Sequence, residues 1–140
     1  MGVKRSEERK PVEFRLDMAS GVPVYRQIID QVTRGLAAGA HLDGDQLPTV
    51  RQLAVDLGIN PNTVVRAYRE LELRGILETH QGTGTFIRQK RAKRSDAERQ
   101  RHLEQFVQDL EARAGAAGFT VQEVLEQLSE LYSDSNDKRR

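Results

Sequence analysis

Asn62, Arg66 and Arg69 fall on one side of a helix if the segment that carries them winds at about 100° per residue. Val64, Ala67, Tyr68 and Leu71 then fall on the other side, with Thr63 and Val65 on the flanks. Side chains of these types can read base edges in a DNA major groove. An asparagine amide bridges the N6/N7 edge of adenine, a guanidinium bridges the O6/N7 edge of guanine, and Thr or Val methyls touch thymine. The backbone N–H groups at the start of such a helix also favour a phosphate. The competing reading of the stripe is a solvated helix face, which is the commoner case for an arbitrary helix. The surrounding elements decide between them.

A second group, His80-Gln81-Gly82-Thr83-Gly84, lies between two β-prone runs. Its GxG lacks the lysine of a phosphate-binding loop and precedes a strand, not a helix, so a nucleotide site is not expected. A side-chain-free Gly82 can instead admit backbone to a minor groove or a phosphate, with Gln81 or His80 beside it; an ordinary hairpin turn is the alternative. Arg51, in the first turn of a short helix, can grip a phosphate. The Arg88–Arg94 run, five basic residues in seven, reads as a linker that adds salt-sensitive affinity. Catalytic sets are not apparent. His41, His80 and His102 lack metal-ligand spacing, no carboxylate pair is placed for acid–base work, and cysteine is absent. The expectation is a non-enzyme without metal or cofactor.

The elements that must position these groups can be read along the chain. Pro11 to Leu16 alternates, with Val12, Phe14 and Leu16 on one face, and reads as a short strand. Pro23 suits a first helical turn, and Val24 to about Ala38 forms a helix on Val24, Tyr25, Ile28, Ile29, Val32 and Leu36. His41–Leu47 reads as a loop. Thr49 caps a helix from Val50 to Leu57, with Val50, Leu53, Ala54 and Leu57 inward, closed by Gly58. Asn60-Pro61 opens the next helix, which runs to Arg74. Ile76–Thr79 and Thr85–Ile87 then form a hairpin. Helix, tight turn, helix and hairpin together make a winged helix-turn-helix, and that context favours the base-reading role for Asn62 and Arg66.

The chain has 140 residues, 37% hydrophobic and 31% charged, enough for one modest core. Residues 1–94 carry 16 Lys/Arg against 11 Asp/Glu, whereas residues 95–140 carry 6 against 10. A basic front and an acidic rear suit a front that meets a polyanion. No apolar run approaches the roughly 18 residues of a membrane span, and residues 1–10 lack a secretory signal pattern, so a cytoplasmic protein is expected. In the rear, Leu103, Phe106, Val107 and Leu110 mark a helix from Asp96 to Arg113, broken by Gly115 and Gly118. Thr120 and Glu123 form a capping box before a last helix that buries Val121, Val124, Leu125, Leu128, Leu131 and Tyr132. Two such stripes exceed what the helices can hide on each other, so a second copy is the expected cover, with folding back onto the winged domain as the alternative.

The residues Leu47-Pro48-Thr49-Val50-Arg51-Gln52-Leu53-Ala54, Leu57-Gly58-Ile59-Asn60-Pro61-Asn62-Thr63-Val64, Arg66-Ala67-Tyr68, Leu71-Glu72 and Gly82-Thr83-Gly84-Thr85-Phe86 resemble the winged domain of GntR-type bacterial transcriptional regulators. Asn60 to Val64 followed by a short two-helix tail is similar to the YtrA subfamily. The resemblance implies DNA contacts from Arg51, Asn60, Asn62, Thr63 and Gly82. Many members carry arginine where this sequence has Val65, and Arg66 stands beside that position. The expected architecture is mainly α with a small β-hairpin. It comprises a winged helix-turn-helix over 11–88, a basic linker over 89–95 and a two-helix dimerisation region over 96–133, with 1–10 and 134–140 disordered. The expected function is a homodimeric repressor on an inverted-repeat operator in double-stranded DNA. A winged module for protein–protein assembly is the alternative, and it calls for an apolar outer face where this sequence has Asn62, Arg66 and Arg69.

Overall fold

The computed structural model describes residues 12–88 and 95–137, so the expectations for 1–10, for most of the basic linker and for the last three residues lie outside it. The chain divides near residue 90 into two compact units. The first contains α1 (Val24–Ala37), β1 (Gln46–Leu47), α2 (Val50–Leu57), α3 (Pro61–Leu73), β2 (Leu77–His80) and β3 (Gly84–Ile87). The second contains α4 (Asp96–Ala117) and α5 (Val121–Asp137).

Local chemistry sets the helix ends. The Thr49 hydroxyl accepts from the Gln52 N–H at 3.1 Å, satisfying a donor that the first turn of α2 leaves free. Gly58 ends α2 in the left-handed region, φ +65°, which lets the Ile59 N–H reach back to the Ala54 carbonyl at 3.0 Å. Asn60 then caps α3 through Oδ1, which accepts from the Asn62 N–H at 2.9 Å, and Pro61 fills the first helical position.

Packing follows the apolar stripes. Ile28, Val32, Leu47, Val64, Leu71 and Ile87 are fully buried in one core, joined by Ala54, Ala67 and Tyr68. Tyr68 also carries a polar handle: its hydroxyl donates to the Pro48 carbonyl at 2.7 Å, tying α3 to the strand-to-helix corner ahead of α2.

The expected two-stranded hairpin is the larger part of a three-stranded antiparallel sheet in the order β1-β3-β2. Gln46 pairs with Phe86 and Leu47 with Thr85, so the end of the segment read as a loop is a strand. Two residues are too short to display a period of two, and Pro48 stops the ladder because it has no N–H. β2 begins one residue later than expected, at Leu77, and β3 one earlier, at Gly84.

The expected strand before α1 is extended but forms no ladder. Its alternation is kept: Val12 and Phe14 are buried, Glu13 and Arg15 exposed. Val12 N–H donates to the Gln46 carbonyl at 3.3 Å, and beyond it a helix takes the place of a neighbouring strand. The Gln31 side-chain amide accepts from Arg15 N–H at 2.9 Å and donates to the Arg15 carbonyl at 2.5 Å. One turn earlier on α1, Gln27 holds the next stretch, accepting from Asp17 N–H at 2.8 Å and donating to the carbonyls of Asp17 and Val22 at 2.9 Å each.

In the second unit, Ser95 caps α4 by accepting from Glu98 N–H at 3.3 Å. The helix does not break at Gly115. It runs to Ala117, because helical φ and ψ suit glycine at a cost of about 1 kcal/mol, and ends at Gly118, φ +86°. The Thr120–Glu123 capping box forms as expected, with Glu123 accepting from Thr120 N–H at 2.8 Å and Glu123 N–H donating to the Thr120 hydroxyl at 3.1 Å. α5 extends to Asp137, into the stretch expected to be disordered. The expectation that α5 buries its stripe does not hold within one chain. Val124 is half-buried, whereas Val121, Leu125, Leu128, Leu131 and Tyr132 are exposed. Among the described residues of this unit only Ala114 is buried, because two helices alone cannot enclose a stripe on each.

Two substitutions test this packing. Tyr68→Phe is expected to lower unfolding stability in urea by about 0.5–1.5 kcal/mol, the usual worth of one hydrogen bond. Burial raises the folded-state Tyr68 phenol above its unfolded value. Its contribution is therefore complete below about pH 10 and lost as pH rises further, and Tyr68→Phe should flatten that alkaline decline. Gly84 has φ +134°, and a Cβ there would meet Gln46 Nε2 at 2.7 Å. Gly84→Ala should cost about 1–3 kcal/mol in thermal or urea melts.

Candidate nucleic-acid interface

The turn between α2 and α3 contains Gly58, Ile59 and Asn60. Burial of Val64, Ala67, Tyr68 and Leu71 fixes the roll of α3 about its axis, so the opposite side must face solvent. Asn62, Arg66 and Arg69 are exposed there, and Thr63 and Val65 are half-buried on the flanks, as the spacing predicts. Leu73 continues the outer stripe and is exposed as well. Asn60 has a partly committed side chain: Oδ1 serves as the α3 cap, which leaves the amide N–H groups for an outside acceptor.

The cations of this face differ in how they are held. Glu70 pairs with Arg74, one turn further on, at 3.2 Å. Arg66, one turn before Glu70, instead places its guanidinium carbon 3.7 Å from the centroid of the Tyr25 ring on α1. Among the described residues neither Arg66 nor Arg69 pairs with a carboxylate, and neither does the exposed Arg51 in the first turn of α2. Helical spacing places Tyr25 with the apolar side of α1 and gives no sign of its contact with Arg66. The two residues lie far apart in the chain, and only the α1–α3 packing brings them together.

The wing tip turns at Gly82, φ +79°, with Thr83 N–H donating to the His80 carbonyl at 3.1 Å. Open space surrounds the position a Cβ would take at Gly82, so here the backbone angle, not crowding, calls for glycine. Gln81 and Gly82 are exposed at the tip. His80 turns back onto the wing, its ring 5.9 Å from the Phe86 ring and its Nε2 3.8 Å from Glu78 Oε2. Arg88, the first residue of the basic run, is ion-paired with Glu78; the remainder of the run lies outside the described residues.

The three histidines stay apart in role. His41 lies against Gly35 of α1, where a Cβ would sit 1.8 Å from the imidazole Cδ2. His80 is on the wing and His102 on α4. No group of three or more His, Asp or Glu side chains suited to a metal ion occurs among the described residues. The groups gathered in the first unit are thus unneutralised cations, amides and backbone N–H donors, a set that binds polyanions and base edges.

Comparison with known proteins gives this arrangement a family. Residues 24–87 match the model of the bacterial regulatory proteins of the gntR family. The HTH-type transcriptional repressor YtrA of Bacillus subtilis is 35% identical over 121 residues, which span 86% of this chain and 93% of that protein. The HTH-type transcriptional regulator Rv1152 of Mycobacterium tuberculosis is 51% identical over 74 residues, 53% of this chain and 61% of that one. Among solved structures, a Listeria monocytogenes transcriptional antiterminator superimposes with a TM-score of 0.62 at 27% identity, covering 89% of this chain and 92% of the other. YtrA of Sulfolobus acidocaldarius, a GntR-family transcription factor, does so with a TM-score of 0.55 at 28% identity, covering 74% and 97%. A relative this similar, aligned from the winged unit into the helical tail and over nearly its whole length, fixes the assignment: the chain belongs to the gntR family of bacterial regulatory proteins.

Proposed function

We propose that this DNA-binding transcriptional regulator acts as a homodimeric, sequence-specific repressor. Its two copies of α3 occupy successive major grooves of an inverted repeat, about 34 Å apart. The observation that carries the reading is the outer face of α3, where Asn62, Arg66 and Arg69 are exposed and, among the described residues, neither arginine pairs with a carboxylate. An assembly surface would be apolar at its centre and depleted of charge. In this reading Asn62 and Arg66 read base edges, with Thr63 touching a methyl and Arg69 reaching base or phosphate. Arg51 and the Asn60 amide grip phosphates, and Gln81 and Gly82 of the wing enter the minor groove. Repression as the sense of control is supported by the name of the Bacillus subtilis relative.

The dimer is assigned to the helical tail. Leu103, Phe106, Val107 and Leu110 of α4, and Val121, Leu125, Leu128, Leu131 and Tyr132 of α5, are between 40% and 64% exposed in the single chain. An apolar surface of that extent on a small unit is the signature of an interface. A second copy supplies the same stripe in return, which closes a four-helix arrangement with two-fold symmetry. No helix among the described residues is long and apolar enough to cross a membrane.

Selection of binding sites from random duplex DNA is expected to return a palindrome with half-sites about one helical turn apart; recovery of no preferred sequence would overturn the reading. Arg66→Ala should weaken binding to the selected site by about 1–3 kcal/mol and relax preference at one base pair. Arg51→Ala should weaken all duplexes alike and reduce the salt slope by about one. Light scattering should give twice the 15.8 kDa chain mass. Leu110→Asp with Leu128→Asp should give monomers whose palindrome affinity falls roughly 10²–10⁴-fold while half-site binding persists.

A further inference from the structure

We infer that Tyr25, on α1 and outside the helix-turn-helix, is a specificity-positioning residue that holds the Arg66 guanidinium ready for a base edge. The inference rests on the proposed DNA reading and adds a residue to it. Arg66 has a long side chain with several rotatable bonds, and a free one loses that freedom when it meets a base. Helical spacing offers it Glu70, four residues on, as an ion-pair partner. Glu70 is taken by Arg74, whose Nη2 and Nε lie 3.2 Å and 3.3 Å from Glu70 Oε1. Arg66 lies over the Tyr25 ring instead, its guanidinium carbon 3.7 Å from the centroid.

The difference between these two partners is chemical. A carboxylate would occupy the in-plane N–H donors that a bidentate contact to guanine O6 and N7 requires. An aromatic face attracts the cation through its π cloud, perpendicular to the guanidinium plane when the two stack, and leaves the N–H edge unspent. Tyr25 is itself held in place, because it is half-buried against the core that joins α1 to α3. The inner packing of the unit therefore extends through one ring to the outer face of α3, and the side chain that discriminates bases is ordered before DNA arrives.

The test compares affinity for the selected duplex with affinity for the same duplex changed at the base pair to which Arg66→Ala is sensitive. Tyr25→Phe should keep the wild-type ratio, since the ring remains. Tyr25→Leu should lower the ratio about 2- to 5-fold, leave binding to unrelated duplex unchanged, and have no further effect in an Arg66→Ala background. Tyr25→Met, which keeps apolar bulk without a π face, should behave as Tyr25→Leu and serves if the latter melts at assay temperature. A ratio unchanged by both, or a loss that persists in the Arg66→Ala background, overturns the role of Tyr25 while the DNA reading stands. An Arg66→Ala protein as selective as wild type overturns Arg66 as a reader, and the role of Tyr25 with it.

Discussion

Burial of one face of α3 governs what the other face can present. Val64, Ala67, Tyr68 and Leu71 pack into the core with Ile28 and Val32 of α1 and with Leu53 and Ala54 of α2. Because a helix is rigid at this length, four buried side chains fix its rotation, and that packing turns Asn62, Arg66 and Arg69 outward, with the Arg66 guanidinium seated over the Tyr25 ring. Ala54 contributes through its small size, and Gly58 through a backbone angle that other residues seldom adopt, so the axes of α2 and α3 diverge over three residues. The Tyr68–Pro48 hydrogen bond adds direction to this apolar packing, tying the middle of α3 to the strand-to-helix corner.

The polar groups of the first unit divide into those satisfied internally and those left open, and the division follows the proposed interface. Gln27 and Gln31 spend their amides on the segment that enters α1, and Thr49 and Asn60 spend an oxygen each on helix starts. Glu78 is matched by Arg88 and approached by His80, and Glu70 by Arg74. What remains on α2, α3 and the wing tip is Arg51, Asn62, Arg66, Arg69 and Gln81, whose guanidinium and amide groups suit a partner rich in acceptors. Of the acidic side chains on the same helices, Glu70 is paired with Arg74, and Asp56 and Glu72 accept from the Gln52 amide and the Thr79 hydroxyl.

The second unit is built by a different balance. Its helix ends are well capped and its helices long, yet its apolar side chains remain in water within one chain. Capping and propensity stabilise the elements, whereas tertiary burial, normally the main source of helix stability, is confined among the described residues of the unit to Ala114 and part of Val124. In the proposed dimer the hydrophobic driving force passes from folding to association, which couples the stability of the tail to the concentration of the second copy.

Much of this protein is legible in its sequence because the informative signals are local. Thr49, Asn60-Pro61, Gly58 and the Thr120–Glu123 pair state where helices begin and end, and the apolar period states which side of each is inward. These fixed the helix-turn-helix, the hairpin and the outward stripe of Asn62, Arg66 and Arg69. Gly115 misled, since glycine lowers helix propensity without forbidding a helix, and the true stop is the left-handed Gly118. Tertiary structure decided what depends on partners distant in the chain. Gln46 and Leu47 become a strand only because β3 lies beside them, and the alternating Val12–Leu16 segment remains off the ladder because Gln31 engages its backbone from a helix. Tyr25 meets Arg66 only after α1 and α3 have packed. Propensity and periodicity are properties of neighbours in sequence, whereas pairing and stacking are properties of neighbours in space, and a single chain read in order contains the first kind alone.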